Sequence, residues 1–119
     1  MRLEYEVPMH LPSCANLREH WRVRAKRTQA QRLTGKMYAY HWVPAHFVLK
    51  PSFRNVKMRI TLTRISPRKL DSDNVASAFK AFRDGIADAL EVNDGSDLIE
   101  WQYAQEKGGT RVKVEIETL

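Results

Sequence analysis

The chain has little of what small stapled, metal-bound or membrane-embedded domains rely on. It holds one cysteine, Cys14, in 119 residues, so no intrachain disulfide framework can form, and a lone thiol fits a reducing cytosol. The four histidines His10, His20, His41 and His46 match no zinc-ligand spacing, and one cysteine offers no thiolate pair. The glycines form no phosphate-cradling loop and no Gly-x-Ser-x-Gly nucleophile elbow. The longest run without Asp, Glu, Lys or Arg is 13 residues, 37–49, and it contains Pro44 and two histidines. That is too short and too interrupted for a bilayer, so no membrane association is expected. The opening Met1-Arg2-Leu3-Glu4-Tyr5 alternates and carries charge, unlike a secretory signal. There are no repeats or low-complexity tracts.

Acids are also scarce relative to bases. Lys and Arg number 20 against 14 Asp and Glu, a net charge of +6, with a pI of about 9.7. The length fits a single domain, 1–119, with one modest core that needs no staple. A small basic domain favours polyanionic partners, nucleic acid first among them; the plainer reading is a solubilising charge.

The hydrophobic pattern predicts an α+β fold in the order β-α-β-α-β-β. Residues 2–7 alternate and end at Pro8, a strand signature. Asn16 is a candidate N-cap for a helix from Leu17 to about Tyr40, weakened at Gly35. Its apolar positions Leu17, Trp21, Ala25, Leu33, Met37 and Tyr40 form a narrow stripe, and Trp21 is read as packing. Residues 56–65 alternate with Val56, Met58, Ile60, Leu62 and Arg64 on one side. A second helix follows, with Val75, Phe79, Phe82, Ile86 and Leu90 on one face, capped by Asp73 or Asn74 and slightly weakened by Gly85. A strand at about 98–106, a hairpin signal at Gly108-Gly109 and a closing strand with Val112, Val114 and Ile116 inward complete the chain. The expectation is a small mixed four-stranded sheet with two main helices packed on it.

The densest chemistry lies in Arg68-Lys69-Leu70-Asp71-Ser72-Asp73-Asn74 at a strand-to-helix junction. Carboxylates at i and i+2 on irregular backbone can turn toward one point, and Asp94 follows the far end of the helix. Mg²⁺ or Mn²⁺ takes a few such oxygens and keeps several waters. The alternative is that Asp71 and Asp73 only cap the helix. A calcium loop counted from Asp71 fails, because Ala76 and Phe82 stand where Gly and Glu are required. Lys80 on the helix can reach back toward the carboxylates or a phosphate, or simply pair with Asp84 at i+4. The first helix carries Arg18, Arg22 and Lys26 at i,i+4 spacing. Like charges so placed repel unless a polyanion faces them, which favours nucleic-acid contact.

Leu70-Asp71-Ser72-Asp73-Asn74, a helix bearing Lys80 and Asp84, and Asn93-Asp94 before a strand together resemble the RusA family of Holliday-junction resolvases, found typically in phages and prophages. Leu11-Pro12-Ser13-Cys14-Ala15-Asn16 before a basic helix also resembles their opening. The resemblance implies an α+β homodimer that cuts four-way DNA junctions with Mg²⁺ or Mn²⁺ during recombination and repair, and the lone thiol makes a cytoplasmic location the expectation. By that resemblance Asp71, Asp73 and Asp94 are the essential acids and metal ligands, with Asp97 the substitute for Asp94. Lys80 is the catalytic lysine, although the family's lysine usually stands three residues after the Asn and Lys80 stands six after Asn74. The first helix, Arg68 and Lys69 are the expected DNA contacts. A nucleic-acid-binding module without catalysis is the alternative.

Overall fold

The computed structural model describes residues 2–12, 20–44, 57–92 and 98–119, with backbone alone at Ser72 and Asp73. The elements are β1 (Arg2–Val7), α1 (Trp21–Trp42), β2 (Met58–Ile65), α2 (Ser72–Ala78), α3 (Lys80–Ala89), β3 (Ile99–Glu106) and β4 (Arg111–Thr118). They form an α+β fold in which a four-stranded mixed sheet is ordered β1-β4-β2-β3. Strand β4 is antiparallel to both β1 and β2, and β2 is parallel to β3. A parallel neighbour requires a crossover, and α2 with α3 supplies it.

One sheet face carries the apolar set. Register aligns Tyr5 with Val114, Val114 with Leu62, and Leu62 with Tyr103. Val112, Val114, Ile116, Ile60 and Leu62 on this face are fully buried. The helix residues expected to cover it, Val75, Phe79, Phe82, Ile86 and Leu90, are all buried as well. Each such side chain removed from water contributes about 1.5–3 kcal/mol, which is why this face anchors the domain. The opposite face is polar. Its charged positions are Arg2, Glu4, Glu6, Arg59, Glu100, Glu106, Arg111, Lys113, Glu115 and Glu117, four bases against six acids. Ion pairs such as Arg59 with Glu100 (3.1 Å) and Arg111 with Glu6 (3.0 Å) lace it.

Four local expectations are corrected. The second helix is two: Phe79 shares its N–H between the Val75 and Ala76 carbonyls, both at 3.2 Å, and α3 starts afresh at Lys80. Its cap is Asp71, not Asp73 or Asn74. The first helix begins at Trp21, with His20 in extended conformation as N-cap; its Nδ1 accepts the Arg22 N–H at 3.2 Å. Asn16 and Leu17 lie outside the described residues.

The third correction is the buried face of α1, which is Gln31, Gly35 and Ala39. Trp21, Leu33, Met37 and Tyr40 are all more than half exposed. The reason is the crossing with α3. A Cβ at Gly35 would overlap the Phe82 carbonyl oxygen, and one at Gly85 would overlap the Arg32 carbonyl oxygen. Small residues let the two backbones touch, so the bulky stripe cannot be the contact.

The fourth is the Gly108-Gly109 hairpin. Strands β3 and β4 are not neighbours, because β2 lies between them. The connection crosses the end of β2, where the Ser66 N–H donates to the Glu106 carbonyl at 3.1 Å and the Gly108 N–H to the Ser66 carbonyl at 3.3 Å. Neither glycine has positive φ, so the hairpin turn that the pair suggested is not formed. Gly108 serves close passage instead: a Cβ there would sit 3.0 Å from Ile65 Cγ2.

Candidate functional site

The candidate site is built where β2 gives way to α2. The helix-facing positions of β2 run Met58, Ile60, Leu62 and then Arg64, all buried. A buried guanidinium must be hydrogen-bonded. Arg64 Nε donates to the Leu11 carbonyl at 2.7 Å, and Nη1 to the Arg68 carbonyl at 2.7 Å. Burial lowers its pKa from the ordinary value, but an arginine starts so high that it stays cationic. Hydrogen bonds from a charged donor contribute about 1.5–3 kcal/mol each, so Arg64 ties both strand-flanking segments firmly.

Gln105 is the registered partner of Arg64 on β3. The Leu70 N–H donates to Gln105 Oε1 at 2.7 Å, and Gln105 Nε2 donates to the Leu70 carbonyl at 2.8 Å. The side-chain amide thus pairs with Leu70 as another strand would. Two adjacent side chains on the sheet therefore hold the 66–70 loop at Arg68 and at Leu70, immediately before Asp71.

Asp71 has extended backbone, φ −61° and ψ 147°, and its carbonyl accepts the Asn74 N–H at 2.9 Å. Its side chain makes no capping hydrogen bond, and the residue is exposed. Asp71 thus stands at the N-cap position, but its carboxylate makes no capping bond. Asp73 is the second residue of α2 by its backbone, and its side chain lies outside the described structure. Asp94 and Asp97 fall within 93–97, and Arg18 within 13–19, all outside the described residues. Among the described residues no group of three or more His, Cys, Asp or Glu side chains is placed to hold a metal ion. Beyond Asp71, the three-acid set rests on the sequence.

Two cations precede Asp71 in the chain, and a cleft opens beside the second of them. Arg68 and Lys69 are exposed. Lys69, Val75, Tyr103, Ala104 and Gln105 line an open cleft of about 280 Å³. Its wall is fixed: the Tyr103 ring stacks on Phe79 with centroids 5.9 Å apart, and the Tyr103 hydroxyl accepts from Arg83 Nη1 at 2.8 Å. Lys80 opens α3 with its Nζ 2.8 Å from Asp84 Oδ1. This is the i,i+4 pair named as its alternative. The lysine side chain is 60% exposed, and such surface pairs contribute under about 1 kcal/mol, so a phosphate can compete for it. Arg22 and Lys26 are exposed on the first turns of α1, away from the Gln31–Gly35–Ala39 line.

Arg64, Gln105, Tyr103 and Arg83 were not foreseen as site residues. A signal for two of them exists in the pattern: Arg64 and Gln105 are polar residues at inward positions of otherwise apolar strands. No helix among the described residues is long and apolar enough to cross a membrane. Compared with models of known protein families, the chain matches none, and no curated protein matches it either.

Proposed function

We propose that the protein is a divalent-metal-dependent endodeoxyribonuclease of branched DNA, resolving four-way junctions as a homodimer. One arrangement carries the reading. Asp71-Ser72-Asp73-Asn74 opens a helix at the end of a central strand, on a loop that Arg64 and Gln105 hold at 2.7–2.8 Å, beside exposed Arg68 and Lys69.

The donor chemistry fits a hard cation. Asp71 keeps its carboxylate out of helix capping, and Asp73 and Asp94 are the further oxygen donors that would hold Mg²⁺ or Mn²⁺ with it. A cation so held supplies charge neutralisation at the scissile phosphate. Arg68 and Lys69 bind flanking phosphates, and Lys80 exchanges Asp84 for a phosphate oxygen. These contacts position the DNA without reading its sequence. The acid-rich open face of the sheet disfavours a polyanion. The helix side, where α1 carries six bases and no acid, attracts one. Two symmetric cuts require two sites related by a two-fold axis, hence the homodimer.

The Lys80–Asp84 pair favours a second reading, a DNA-binding module without catalysis. A synthetic four-way junction with Mg²⁺ or Mn²⁺ separates the two. The nuclease reading expects cleavage by the wild type, with binding but no cutting by Asp71→Asn and Asp73→Asn. A wild type that binds the junction and cuts in neither metal leaves the binding module. No binding even at low salt removes both.

A further inference from the structure

The first ten residues of α1 are its exposed part. From Trp21 to Ala30 every residue is exposed except Arg27, which is half-buried, and Gln31 is the first buried residue of the helix. The cause is the geometry of the α1–α3 crossing. Contact is centred on Gly35 and Gly85, and Arg32 already reaches Asp88, near the last residue of α3, with bonds of 2.7 and 3.0 Å. The preceding residues pass beyond the end of α3. At about 1.5 Å per residue they form an arm roughly 15 Å long.

This arm carries Arg22, Arg24, Lys26 and Arg27 and no acid of its own. Arg22 and Lys26 are like charges one turn apart, which is unfavourable without a polyanion nearby. At the tip is Trp21, 67% exposed. Its ring lies 5.6 Å from that of His20, and the Arg22 guanidinium carbon lies 5.2 Å from its centre. The most exposed large aromatic of the described structure thus sits at the end of its most basic helix.

An exposed indole among cations suits a base that is out of the stack. Every base has a π-face, so stacking on an aromatic ring binds unpaired nucleotides with little sequence preference, while neighbouring cations track the phosphates. A continuous duplex presents phosphates to such an arm but no free base face. We infer that the α1 arm is a binding site for unpaired nucleotides: Trp21 stacks on an exposed base, and Arg22, Arg24 and Lys26 hold the adjoining phosphates. The inference rests on the DNA-binding reading above. It adds the part of a branched substrate that the arm recognises, the single-stranded or unstacked segment at the branch.

The test uses the full chain and fluorescence anisotropy of two labelled probes, an oligo-dT of about 12 nucleotides and a duplex of the same length. At about 50 mM salt, Trp21→Ala is expected to weaken oligo-dT binding by roughly 5- to 100-fold, the range of one base–aromatic stack. Duplex binding changes less than about twofold, and the slope of log K against log salt is kept, because no phosphate contact is lost. Trp21→Phe, which keeps an aromatic face, restores most of the oligo-dT affinity. Because Trp21 is exposed, circular dichroism of both variants matches the wild type. Equal oligo-dT binding by wild type and Trp21→Ala overturns the inference and leaves the DNA reading standing. Parallel loss on both probes overturns it too, since the arm then acts through charge or fold. A wild type that binds neither probe overturns the inference, and binding to the four-way junction then decides the DNA reading separately.

Discussion

Helix propensity and the packing of α1 on α3 give opposite signs for one substitution, Gly85→Ala. A glycine inside a helix costs about 1 kcal/mol relative to alanine, so propensity alone makes the change stabilising. The structure opposes this. The added Cβ would overlap the Arg32 carbonyl oxygen and lie 2.9 Å from both the Arg32 carbonyl carbon and the Lys36 nitrogen. These are main-chain atoms of α1, so no rotamer change relieves the overlap and the helices must part by on the order of 1 Å. Parting them loosens the seat of Gly35 on Phe82 and strains the Arg32–Asp88 pair, whose bonds are 2.7 and 3.0 Å. Overpacking of this kind costs about 1–3 kcal/mol, and an immobile backbone places it at the upper end. After the propensity gain is subtracted, a net loss of about 2 kcal/mol remains, or roughly 8 °C in Tm for a domain of this size. Thermal and urea unfolding followed by circular dichroism measure it. Gly35→Ala is expected to cost a similar amount, and the double variant less than the sum, because helices already parted accommodate a second methyl. A Tm for Gly85→Ala equal to or above the wild type would refute the crossing geometry.

Gln105→Leu removes both bonds to Leu70 while keeping the side chain's bulk. Amide exchange at Leu70 should quicken about tenfold or more, since each lost bond contributes about 0.5–1.5 kcal/mol, while global stability falls only modestly. Unchanged protection at Leu70 would mean that Gln105 does not hold the loop. Tyr5→Phe should raise stability at pH 7 by about 1 kcal/mol, because the buried Tyr5 hydroxyl has no hydrogen-bond partner among the described residues and its removal relieves that cost while the ring keeps its stack on Trp42 at 6.1 Å. Burial also pushes the Tyr5 phenol well above its ordinary value of 10.0. The neutral form is therefore what folding favours: its contribution is complete below that value and declines as pH rises beyond it, because the unfolded chain ionises first. The variant should accordingly lose less stability than the wild type between about pH 10 and 12, as urea midpoints across that range would show.

Where burial is carried by large apolar side chains at a fixed period, the sequence is transparent. Val75, Phe79, Phe82, Ile86 and Leu90 state their face, and Val112, Val114 and Ile116 state theirs, because each of them is large enough for its burial to dominate local energetics. Helix α1 is opaque for the converse reason. Its contact line is Gln31, Gly35 and Ala39, one polar residue and two small ones whose value is that they allow approach, and a search for bulky stripes passes over them. Strand order is opaque for a different reason. Gly108-Gly109 is a local signal, whereas the place of β2 between β3 and β4 is decided by pairings more than forty residues apart in sequence.

The candidate site divides the same way. Asp71 was legible because a junction between a strand and a helix is legible and carboxylates there are conspicuous. What holds Asp71 in place was not, since it comes from two strands whose adjacency the sequence does not announce. Yet both strands break their own rule at the same level. Arg64 follows Met58, Ile60 and Leu62, and Gln105 follows Ile99, Trp101 and Tyr103, each a polar residue where alternation calls for an apolar one. Such a substitution in a core position is costly unless the polar group is bonded. Two in register are better explained by a shared partner than by two separate accidents. The partner is the 66–70 loop, whose carbonyls and amide they take up at 2.7–2.8 Å. A polar residue at the inward end of an apolar strand is therefore worth reading as the anchor of whatever loop follows, and here that loop presents the acid on which the proposed chemistry depends.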